Sequence, residues 1–524
     1  MFDLIIKNGK ILSARKEPFF ADIGIKGAKI IAIAKIKNSA KTIDAEGLLV
    51  GPGFIDMHSH SDFAVMKELP SLAKVSQGIT SQVIGNCGIS GAPYNKKSSS
   101  FLERYVKPII GGESSSLGCS SWKNYLKVLN ASSLATNILP LVGQGNLRAA
   151  VMGINQSSAT KKQLKEMKDL LREVMEQGAW GFSTGLIYPP GIFTSTDELI
   201  SLAKIISKFG GIYATHIRGE GETLIPAIEE ALLIGEKAGV PIEISHLKAA
   251  GRENWHKTDE VLELISKQRE RVFDVTYDQY PYLAASTTLT ALLPPWMHQG
   301  GVEKMLLRLA NRTERGKAKR DIENGIPGWE NFVYSCGWEG IIINQVETEK
   351  NRKYEGRNVR EISQGESKPP TDFIFDLLIE EKGTINMFAF EMGKESVKKI
   401  GRESFGFVGT DGLHGRRPHP RLWGTFPKIL RKWVREEKFL TLQEVVHKFS
   451  SGPAEKLNLE DRGEIKVGKI ADIVIFDFNQ VGDRATYEKP TLSAKGIKYV
   501  IVNGKIVIAD EKFTGETRGE LLLR

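Results

Sequence analysis

Eight short apolar runs, separated by longer polar segments, constrain the fold of this chain more than any other feature. The runs are GFIDM, TSQVIGNCG, ATNILPLVG, GAWGFSTG, GIYATHIRG, PIEISHLKA, RVFDVTYDQYPY and SFGFVGTDG. Amphipathic, charge-rich segments that predict helices lie between several of them, at 160–177, 196–208, 222–239 and 257–270. Strands that alternate with helices are typical of parallel α/β folds. We therefore predict an α/β fold with a (β/α)₈ TIM barrel, and a doubly wound open sheet is the competing architecture.

The two ends of the chain carry a different pattern, in which short β-branched runs flank Gly-containing turns. FDLIIKNGKIL (2–12) and IKYVIVNGKIVIADEKF (497–513) each predict a strand, an Asn-Gly turn and a second strand. Neither end is long enough to bury a sheet alone. We therefore predict one small β-sandwich-like domain made from residues 1–52 and 458–524, beside a barrel domain over residues 53–457.

One long segment departs from the alternation. About a hundred residues lie between PYLAASTTLTALLPPW (281–296) and the last predicted barrel strand. We predict an insertion here, over about 297–365, that lies near the barrel mouth and is placed to act as a lid. Residues 304–320 include seven basic side chains and one acid. Because no aromatic residues are interleaved for base stacking, this segment favours a solvated helix over a nucleic-acid-binding patch.

Composition narrows the class of protein further. Apolar residues at 41% and charged residues at 26% are typical of globular proteins, and a net charge of +9 over 524 residues is no argument for nucleic acid. The three cysteines, Cys87, Cys119 and Cys336, are too few for a disulfide framework and indicate a reducing compartment. The N-terminus MFDLIIKNGK does not resemble a signal peptide, and no apolar run reaches the ~18 residues that span a bilayer. We expect a soluble cytoplasmic protein that binds neither membranes nor nucleic acid.

Side chains that can bind metals recur at the ends of the predicted barrel strands. His58 and His60 follow the first run, and residues two apart on a strand project from the same face. Four further runs end in the donors Cys87, His216, His246 and Asp411. The carboxyl ends of the strands of a parallel barrel meet at one mouth. We therefore predict that these six side chains converge.

The donor types fit zinc, for which imidazole and thiolate are preferred ligands. Two adjacent sites are predicted, one from Cys87, His216 and His246 and the other from His58, His60 and Asp411. Bound zinc lowers the pKa of its water to about 7, and Asp411 could pass a proton from that water to a leaving nitrogen. A lone His, a buried Cys or an Asp-Gly turn each has an ordinary structural explanation, but together these residues favour a metal centre.

Several stretches resemble the N-acyl-D-amino-acid deacylases, or D-aminoacylases, of the amidohydrolase superfamily. They are GPGFIDMHSHSD, GITSQVIGNCGIS, GFSTGLIYPPGIFTSTDEL, YATHIRGEGE, ISHLKAAG, DQYPYLAASTTLTALLPPW and DGLHGRRPHPRLWGTFPKIL, and they run from residue 51 to about 430. The Cys of GNCG is informative, because this branch carries a Cys where hydantoinases and dihydroorotases have a carboxylated Lys from another strand.

The resemblance implies zinc-dependent hydrolysis of the amide of a small-molecule N-acyl-D-amino acid, with Asp411 as the general acid/base. It also implies one tightly bound Zn²⁺ on Cys87, His216 and His246, and a weaker second site at His58 and His60. In the family a Lys, a Tyr and an Arg hold the substrate α-carboxylate, and the corresponding residues are Lys248, Tyr280 and Arg421. An Arg offers a bidentate fork that suits a carboxylate.

This chain departs from the family pattern at two places. Gln144 stands where the family often has His. The run between Asp411 and Arg421 is about one residue shorter, so Arg416, Arg417 and His419 are alternatives to Arg421.

Three other functions remain open at this point. A cyclic-amide hydrolase such as a hydantoinase or dihydroorotase would use a similar metal centre but need not hold a free α-carboxylate. A Cys-nucleophile hydrolase would use Cys87 with His216 or His246 as the base, and would not depend on metal. A scaffold that binds nucleic acid through residues 304–320 would show salt-sensitive binding.

Overall fold

The eight apolar runs form the strands of two parallel sheets. The computed structural model describes residues 2–37, 41–66, 71–101, 105–106, 119–271 and 273–524. The first sheet has the strand order Asn137–Pro140, Ile79–Ile84, Phe54–Asp56. The second has the order Val142–Gly143, Gly181–Gly185, Ile212–His216, Ile242–Ile244, Val275–Gln279, Gly406–Val408. Every ladder in the two sheets is parallel, so the predicted α/β class is confirmed.

Helices lie between the strands of the second sheet. The four predicted amphipathic segments form the helices Lys161–Glu176, Thr196–Lys208, Leu224–Ala238 and Thr258–Glu270. The first begins at a capping box, in which the Thr160 hydroxyl accepts from the Gln163 backbone and the Gln163 side chain accepts from the Thr160 backbone. The apolar faces of these helices share one buried cluster with the strands, as expected for amphipathic helices on a sheet.

Shorter helices complete the described part of the chain. The other α-helices are Leu72–Val75, Ser99–Phe101, Trp122–Ala131, Gln144–Met152, Val302–Ala310, Arg312–Asn324, Phe332–Gly340, Val359–Gly365, Pro370–Glu380, Lys394–Arg402, Arg421–Lys428, Leu442–Val446 and Gly452–Lys456. Turns of 3₁₀ helix are Ala64–Met66, Gly191–Phe193, Arg252–Lys257, Leu289–Leu292, Pro295–His298 and Glu349–Tyr354, and π-helical segments are Ile429–Glu436 and His447–Ser451. None of the described helices combines the length and apolar character that a bilayer crossing requires. The cytoplasmic location stays a prediction.

Strands from the two ends of the chain pair with each other. Leu49–Pro52 runs antiparallel to Ile473–Phe476. Their sheet has the order Lys512–Phe513, Lys505–Ala509, Ile497–Val502, Ile473–Phe476, Leu49–Pro52, Lys10–Ile11, Phe19–Phe20. A second sheet, with the order Lys29–Ala34, Asp22–Lys26, Leu4–Lys7, Lys41–Asp44, shares an isoleucine-rich buried cluster with it. Two sheets around one apolar layer form a sandwich-like arrangement. The domain boundaries at 52/53 and 457/458 stay a prediction.

One of the two predicted Asn-Gly hairpins is wrong. The Asn503-Gly504 turn joins two antiparallel strands, as predicted. The Asn8-Gly9 turn instead joins strands of different sheets, so residues 2–12 form no hairpin. The Asn8 side chain donates to Asp44, and a Cβ on Gly9 would lie 2.4 Å from Val50 Cγ2. Contacts distant in sequence therefore determine this turn.

An additional unit lies between the last two strands of the second parallel sheet. Its own sheet is antiparallel, with the order Ala284–Thr288, Asn386–Phe390, Ile341–Gln345. A separate buried apolar cluster holds its strands and helices together. The insertion predicted over about 297–365 lies inside this unit, whose sheet also uses residues on both sides of that range.

The basic segment 304–320 lies on two helices of the additional unit. Arg315 contacts Asp376 at 2.8 Å and Asp372 at 3.4 Å. Lys317 lies over the ring of Trp296, 4.3 Å from its centroid. Part of this positive charge is therefore paired within the unit, in agreement with the helical interpretation.

A buried polar cluster joins the terminal sheets to the parallel strands. The Asp472 carboxylate accepts hydrogen bonds from Arg462 Nη1 at 2.5 Å, the Asn503 backbone at 2.8 Å and the Asn137 side chain at 3.0 Å. All four residues are buried. Asn137 begins a parallel strand, so this one carboxylate connects the two parts of the molecule.

Replacing Asp472 by Ala should lower the free energy of unfolding by about 3–5 kcal/mol, because Arg462 would stay buried without its carboxylate. Urea unfolding followed by tryptophan fluorescence measures the change. Asp169→Ala is the matched control, since Asp169 pairs with Lys165 and Arg172 on an exposed helix surface, and its loss should be much smaller. Equal losses in the two variants would contradict the buried connection.

Candidate metal centre

Cys87 lies among three histidines that come from three other strands. Its Sγ is 3.3 Å from His58 Nε2, 3.5 Å from His246 Nε2 and 3.8 Å from His216 Nδ1. Each of these residues lies at or just after the carboxyl end of its parallel strand, and all four are buried. The structure therefore brings together the donors that the strand ends predict.

His60 and Asp411 complete a second group beside the first. Asp411 Oδ1 is 3.2 Å from His60 Nε2 and 3.5 Å from His58 Nε2. Among the described residues, three groups each have ligand atoms that all lie within 4.8 Å of one another. They are His58–Cys87–His246, His58–His60–Asp411 and His216–Glu220–His246. The sets contain all six predicted donors, and they add Glu220.

The spacing and chemistry of these donors fit a metal ion. Ligands that lie 2.0–2.3 Å from one tetrahedral zinc ion are about 3.3–3.8 Å from each other, and this is the range of the distances between Cys87 and the three imidazoles. His216 Nε2 is buried, has no hydrogen-bond partner among the described residues and lies 3.7 Å from Glu220 Oε2. The nitrogen that faces Cys87 is the other one, Nδ1, so the fit to a metal at Cys87 rests on this spacing and on the thiolate and imidazole donors.

Left-handed backbone places three of the donors. The φ angle is 51° at Cys87, 37° at His246 and 46° at Asp411. Such conformations cost on the order of 1–3 kcal/mol each for residues other than Gly, and they cluster at functional sites. Gly85 permits the turn before Cys87, because a Cβ there would lie 2.0 Å from the carbonyl oxygen of Leu141. The GNCG sequence is thus the local cause of this geometry.

The carboxylate of Asp278 positions two of the histidines. Its Oδ2 is 3.1 Å from His58 Nδ1, and its Oδ1 accepts a hydrogen bond from the His246 backbone at 2.9 Å. A partner at Nδ1 orients the His58 ring and leaves Nε2 for the donor cluster. Sequence analysis missed Asp278, although it lies near the end of its strand and two residues before Tyr280.

Glu220 supports the other side of the cluster. Its Oε1 accepts from Lys248 Nζ at 2.6 Å and lies 3.0 Å from His246 Nδ1, while its Oε2 faces His216. Glu220 follows His216 by four residues in THIRGE. The residues between them form a loop rather than a helix or strand. Their spacing in the sequence therefore does not indicate that the two side chains face each other.

A buried ion pair fixes the loop that carries Asp411. Lys74 Nζ donates to Asp56 Oδ2 at 2.7 Å and to the Thr410 hydroxyl at 2.5 Å. Asp56 Oδ1 accepts from the Thr410 backbone at 2.8 Å, and the Asp411 backbone donates to the His58 carbonyl at 2.8 Å. The ends of the first and last parallel strands are therefore held in register.

Two of the three predicted substrate-binding residues line the cavity in front of the donors. These are Lys248 and Tyr280, and the Tyr280 hydroxyl has no hydrogen-bond partner among the described residues. Arg421 lies behind them: its Cζ is 4.5 Å from the Tyr280 ring centroid and its Nη2 is 2.9 Å from Asp411 Oδ2. Arg421 is not among the described residues that line this cavity.

The alternatives to Arg421 are not among the described residues that line this cavity, and neither is Gln144. The alternatives are Arg416, Arg417 and His419. Arg416 pairs with Glu355, and its side chain is 44% exposed. His419 packs edge-on against Tyr282, 5.2 Å between ring centroids. Gln144 is buried and donates to the Thr194 hydroxyl at 3.0 Å.

Electrostatics favours the ionised forms of two donors. Burial alone would raise the pKa of the Cys87 thiol, but His58 and hydrogen bonds from His216 and His246 outweigh burial and hold this pKa well below its usual range. Burial also opposes ionisation of Asp411, yet Arg421 and His58 hold its pKa below that of a free carboxyl. Thiolate and carboxylate are the forms that bind metal ions.

Two adjoining cavities open at the donors. The first is lined by the donors His60, Cys87, His216, His246 and Asp411, and by Lys248, Tyr280, Glu220 and Glu391 among others. The second shares Cys87, Ile89 and Tyr188 with the first, and most of its other lining residues are apolar. The donors therefore adjoin one polar and one mainly apolar cavity.

Comparison with known proteins places this architecture in a family. The pattern of the amidohydrolase family matches residues 41–271 and 407–508. A D-aminoacylase of Alcaligenes xylosoxydans xylosoxydans is 35% identical over 530 residues, which cover 100% of this chain and 98% of that protein. An N-acyl-D-glutamate deacylase of the same organism is 34% identical over 514 residues, which cover 96% and 93%. The crystal structure of an N-acyl-D-glutamate deacylase from Bordetella bronchiseptica, complexed with zinc and a phosphonate inhibitor, has a TM-score of 0.84 at 31% identity and covers 100% of this chain and 99% of that one.

The α/β fold is therefore that of an amidohydrolase, a class of hydrolytic enzymes. Within it the chain belongs to the family of D-aminoacylases and N-acyl-D-amino-acid deacylases, as the sequence resemblance implies. The donor sets of this chain and the zinc complex of the solved relative support a divalent metal cofactor.

Asp278→Asn should weaken binding of a divalent metal by about 10–100-fold, because His58 loses the anionic partner that orients its ring. Competition of the metal-depleted protein with a zinc indicator dye measures the affinity. Asp274→Asn is the control, since this half-exposed carboxylate contacts Lys456 rather than a donor and the variant should keep wild-type affinity. Unchanged affinity in Asp278→Asn would remove the orienting role.

Proposed function

We propose that this enzyme hydrolyses the amide bond of small-molecule N-acyl-D-amino acids to a carboxylate and a free D-amino acid. The observation that carries the proposal is the meeting of six metal donors from five parallel strands in one buried cluster. Full-length similarity to a D-aminoacylase and to an N-acyl-D-glutamate deacylase supports the same chemistry.

Zinc is the metal that these donors suit best. Cys87, His216 and His246 would hold it tightly, and His58, His60 and Asp411 would form a second, weaker position. A thiolate favours zinc over magnesium or calcium, which prefer oxygen ligands. When bound, zinc supplies Lewis-acid activation of water and of the amide carbonyl at neutral pH.

Asp411 acts as the general acid and base in this proposal. Arg421, 2.9 Å from its carboxylate, keeps it ionised and fixed in position. The carboxylate can then accept a proton from the attacking water. It returns this proton to the leaving nitrogen as the C–N bond breaks, which is what releases the D-amino acid. A side chain placed for such proton transfers contributes typically about 10²–10⁴-fold in rate.

Lys248 and Tyr280 hold the substrate α-carboxylate. Burial alone would lower the pKa of Lys248, but Glu220 outweighs burial and keeps the ammonium protonated. That ammonium has three donors, of which Glu220 uses one. With His246 Nε2 on the metal, its Nδ1 carries the proton and donates to Glu220 rather than accepting from Lys248. Arg421 could join them only through Nε or Nη1, since its Nη2 holds Asp411, and its role as a carboxylate ligand stays a prediction. An anchored α-carboxylate orients the neighbouring amide over the donors.

We also infer that the two parallel sheets are arcs of one TIM barrel. Residues 137–143 contribute to both sheets, and the Leu141 backbone donates to the Ile84 carbonyl at 2.9 Å. On the other side the Met57 backbone donates to the Val408 carbonyl at 3.1 Å. Such a barrel would place the donors at its mouth. The additional unit would act as a lid there, because its Phe332 lines the first cavity.

Cys87→Ala should lose most of its zinc after dialysis, because the tight site loses its thiolate.

Asp411→Ala should keep zinc, and its kcat/KM should fall by about 10²–10⁴-fold. Metal analysis and activity on one preparation separate the two effects, and Cys336→Ala should resemble the wild type in both. Full zinc content in Cys87→Ala would remove the Cys from the ligands. Full activity after chelation would favour a Cys-nucleophile mechanism instead.

A substrate panel tests the reaction itself. N-acetyl-D-methionine should be hydrolysed at least about 100-fold faster, in kcat/KM, than its L enantiomer, because the wrong enantiomer cannot place both its amide and its α-carboxylate on fixed partners. Hydantoin and dihydroorotate should not react, since they present no free α-carboxylate beside a linear amide. Release of the free amino acid, followed by amine labelling, gives the rates. Ring opening without hydrolysis of the linear amide would support the cyclic-amide alternative.

A further inference from the structure

A carboxylate without a partner faces the first cavity. Glu391 is 2% exposed, and neither of its carboxylate oxygens has a hydrogen-bond partner among the described residues. It lines the same cavity as the metal donors. Its backbone is held firmly, because its carbonyl accepts from the Gly251 backbone at 2.9 Å and from Trp255 Nε1 at 3.0 Å. A fixed backbone therefore presents an unsatisfied acceptor to the substrate space.

None of the described residues donates a hydrogen bond to the Glu391 carboxyl, although Lys248 and Arg421 lie near enough to favour its ionised form. Lys248 is the single Lys or Arg among the described residues that line this cavity, and its ammonium is bound to Glu220 at 2.6 Å. Glu330 adds a further buried carboxylate, one oxygen of which accepts from the Glu220 backbone at 2.9 Å. Burial and the nearby Glu330 raise the pKa of Glu391 well above that of a free carboxyl, and Lys248 and Arg421 oppose this shift only in part. A substrate cation beside Glu391 would favour its ionised form. A positively charged group that entered the cavity would find an acceptor with no competing partner.

We propose that Glu391 is a specificity-determining residue that binds a cationic group on the D side chain of the substrate. This inference rests on the deacylase function proposed above and names its substrate class. An ammonium or guanidinium group donates to carboxylate oxygens in strong, charge-assisted hydrogen bonds. A side-chain carboxylate would bring no cation to Glu391 and would add negative charge to a buried cavity that Glu220 already lines. The enzyme therefore selects N-acyl-D-amino acids with basic side chains and disfavours acidic ones.

The neighbouring cavity receives the uncharged arm of the substrate. Ile187, Ile192 and Leu293 are among its lining residues, and it meets the first cavity at Cys87. An acyl group bonded to the scissile nitrogen can extend into this apolar space while the side chain extends toward Glu391. A positive charge could also reach Glu391 from an aminoacyl group. The experiment must therefore distinguish a cation on the side chain from a cation on the acyl group.

Four substrates of similar length test the assignment on the zinc-loaded enzyme. They are N-acetyl-D-lysine, N-acetyl-D-norleucine, N-acetyl-D-glutamate and glycyl-D-norleucine. We expect kcat/KM for the lysine substrate to exceed that for N-acetyl-D-norleucine by roughly tenfold or more, which is the usual effect of a hydrogen bond to a charged group. We expect kcat/KM for N-acetyl-D-glutamate to be lower than that for N-acetyl-D-norleucine. The assignment to the side chain would be overturned if kcat/KM for glycyl-D-norleucine, but not for N-acetyl-D-lysine, exceeded that for N-acetyl-D-norleucine.

Two matched variants show whether Glu391 causes the preference. Glu391→Gln keeps the size and removes the charge, and the lysine-to-norleucine ratio should fall toward one, mainly through a higher KM for the lysine substrate. Glu395→Gln, four residues later and exposed, should keep the wild-type ratio. A merely structural role of Glu391 would lower all rates together without changing their ratio.

The outcomes that overturn this inference differ from those that overturn the proposed function. A wild-type ratio at or below one, while N-acetyl-D-norleucine is hydrolysed, removes the role of Glu391 and leaves the deacylase function intact. An unchanged ratio in Glu391→Gln does the same. If the enzyme hydrolyses none of the N-acetyl-D-amino acids, that result contradicts the proposed function itself. If Glu391→Gln does not fold, the wild-type ranking of the four substrates still decides.

Discussion

The carboxylate of Asp278 determines how the metal donors face one another. One of its oxygens contacts the His58 ring and the other accepts a hydrogen bond from the His246 backbone. Because an imidazole that is held at Nδ1 offers only Nε2, the His58 ring must point toward Cys87 and Asp411. Two donors from distant parts of the chain thus share one anchor. The rest of the cluster forms around that anchor.

Around the candidate metal centre, paired charges rather than apolar contacts fix the positions of the side chains. The pairs are Lys74 with Asp56, Lys248 with Glu220 and Arg421 with Asp411. A buried ion pair contributes little net stability compared with well-packed apolar residues, yet the loss of one partner is costly. These pairs therefore act mainly to hold geometry. The left-handed backbone at Cys87, His246 and Asp411 adds local strain, which the large apolar clusters around the strands must offset.

The parallel strands, the four amphipathic helices between them and the positions of the six candidate donors at strand ends were predictable because their signals are local. A strand-length apolar run that ends in a His, Cys or Asp is visible in a few consecutive residues. Asp278 was not predictable in this way, since it lies inside an apolar run and its partners are distant in the sequence. Glu391 follows a strand of the additional unit, outside the repeated pattern. The prediction of a hairpin at Asn8-Gly9 was wrong for the same reason, because the residues that this turn contacts, Asp44 and Val50, lie far along the chain.

A ribosome makes the strand Leu49–Pro52 about four hundred residues before its partner Ile473–Phe476. At the usual speed of roughly 5–20 residues per second, that interval lasts about 20–80 s. During this time the backbone of the early strand has no neighbour on that side, and an unpaired strand edge is a template for pairing with other chains. Nascent copies on one messenger RNA are close together while these edges are open. The edge of the early strand therefore stays open for most of the time that the ribosome needs to make this chain.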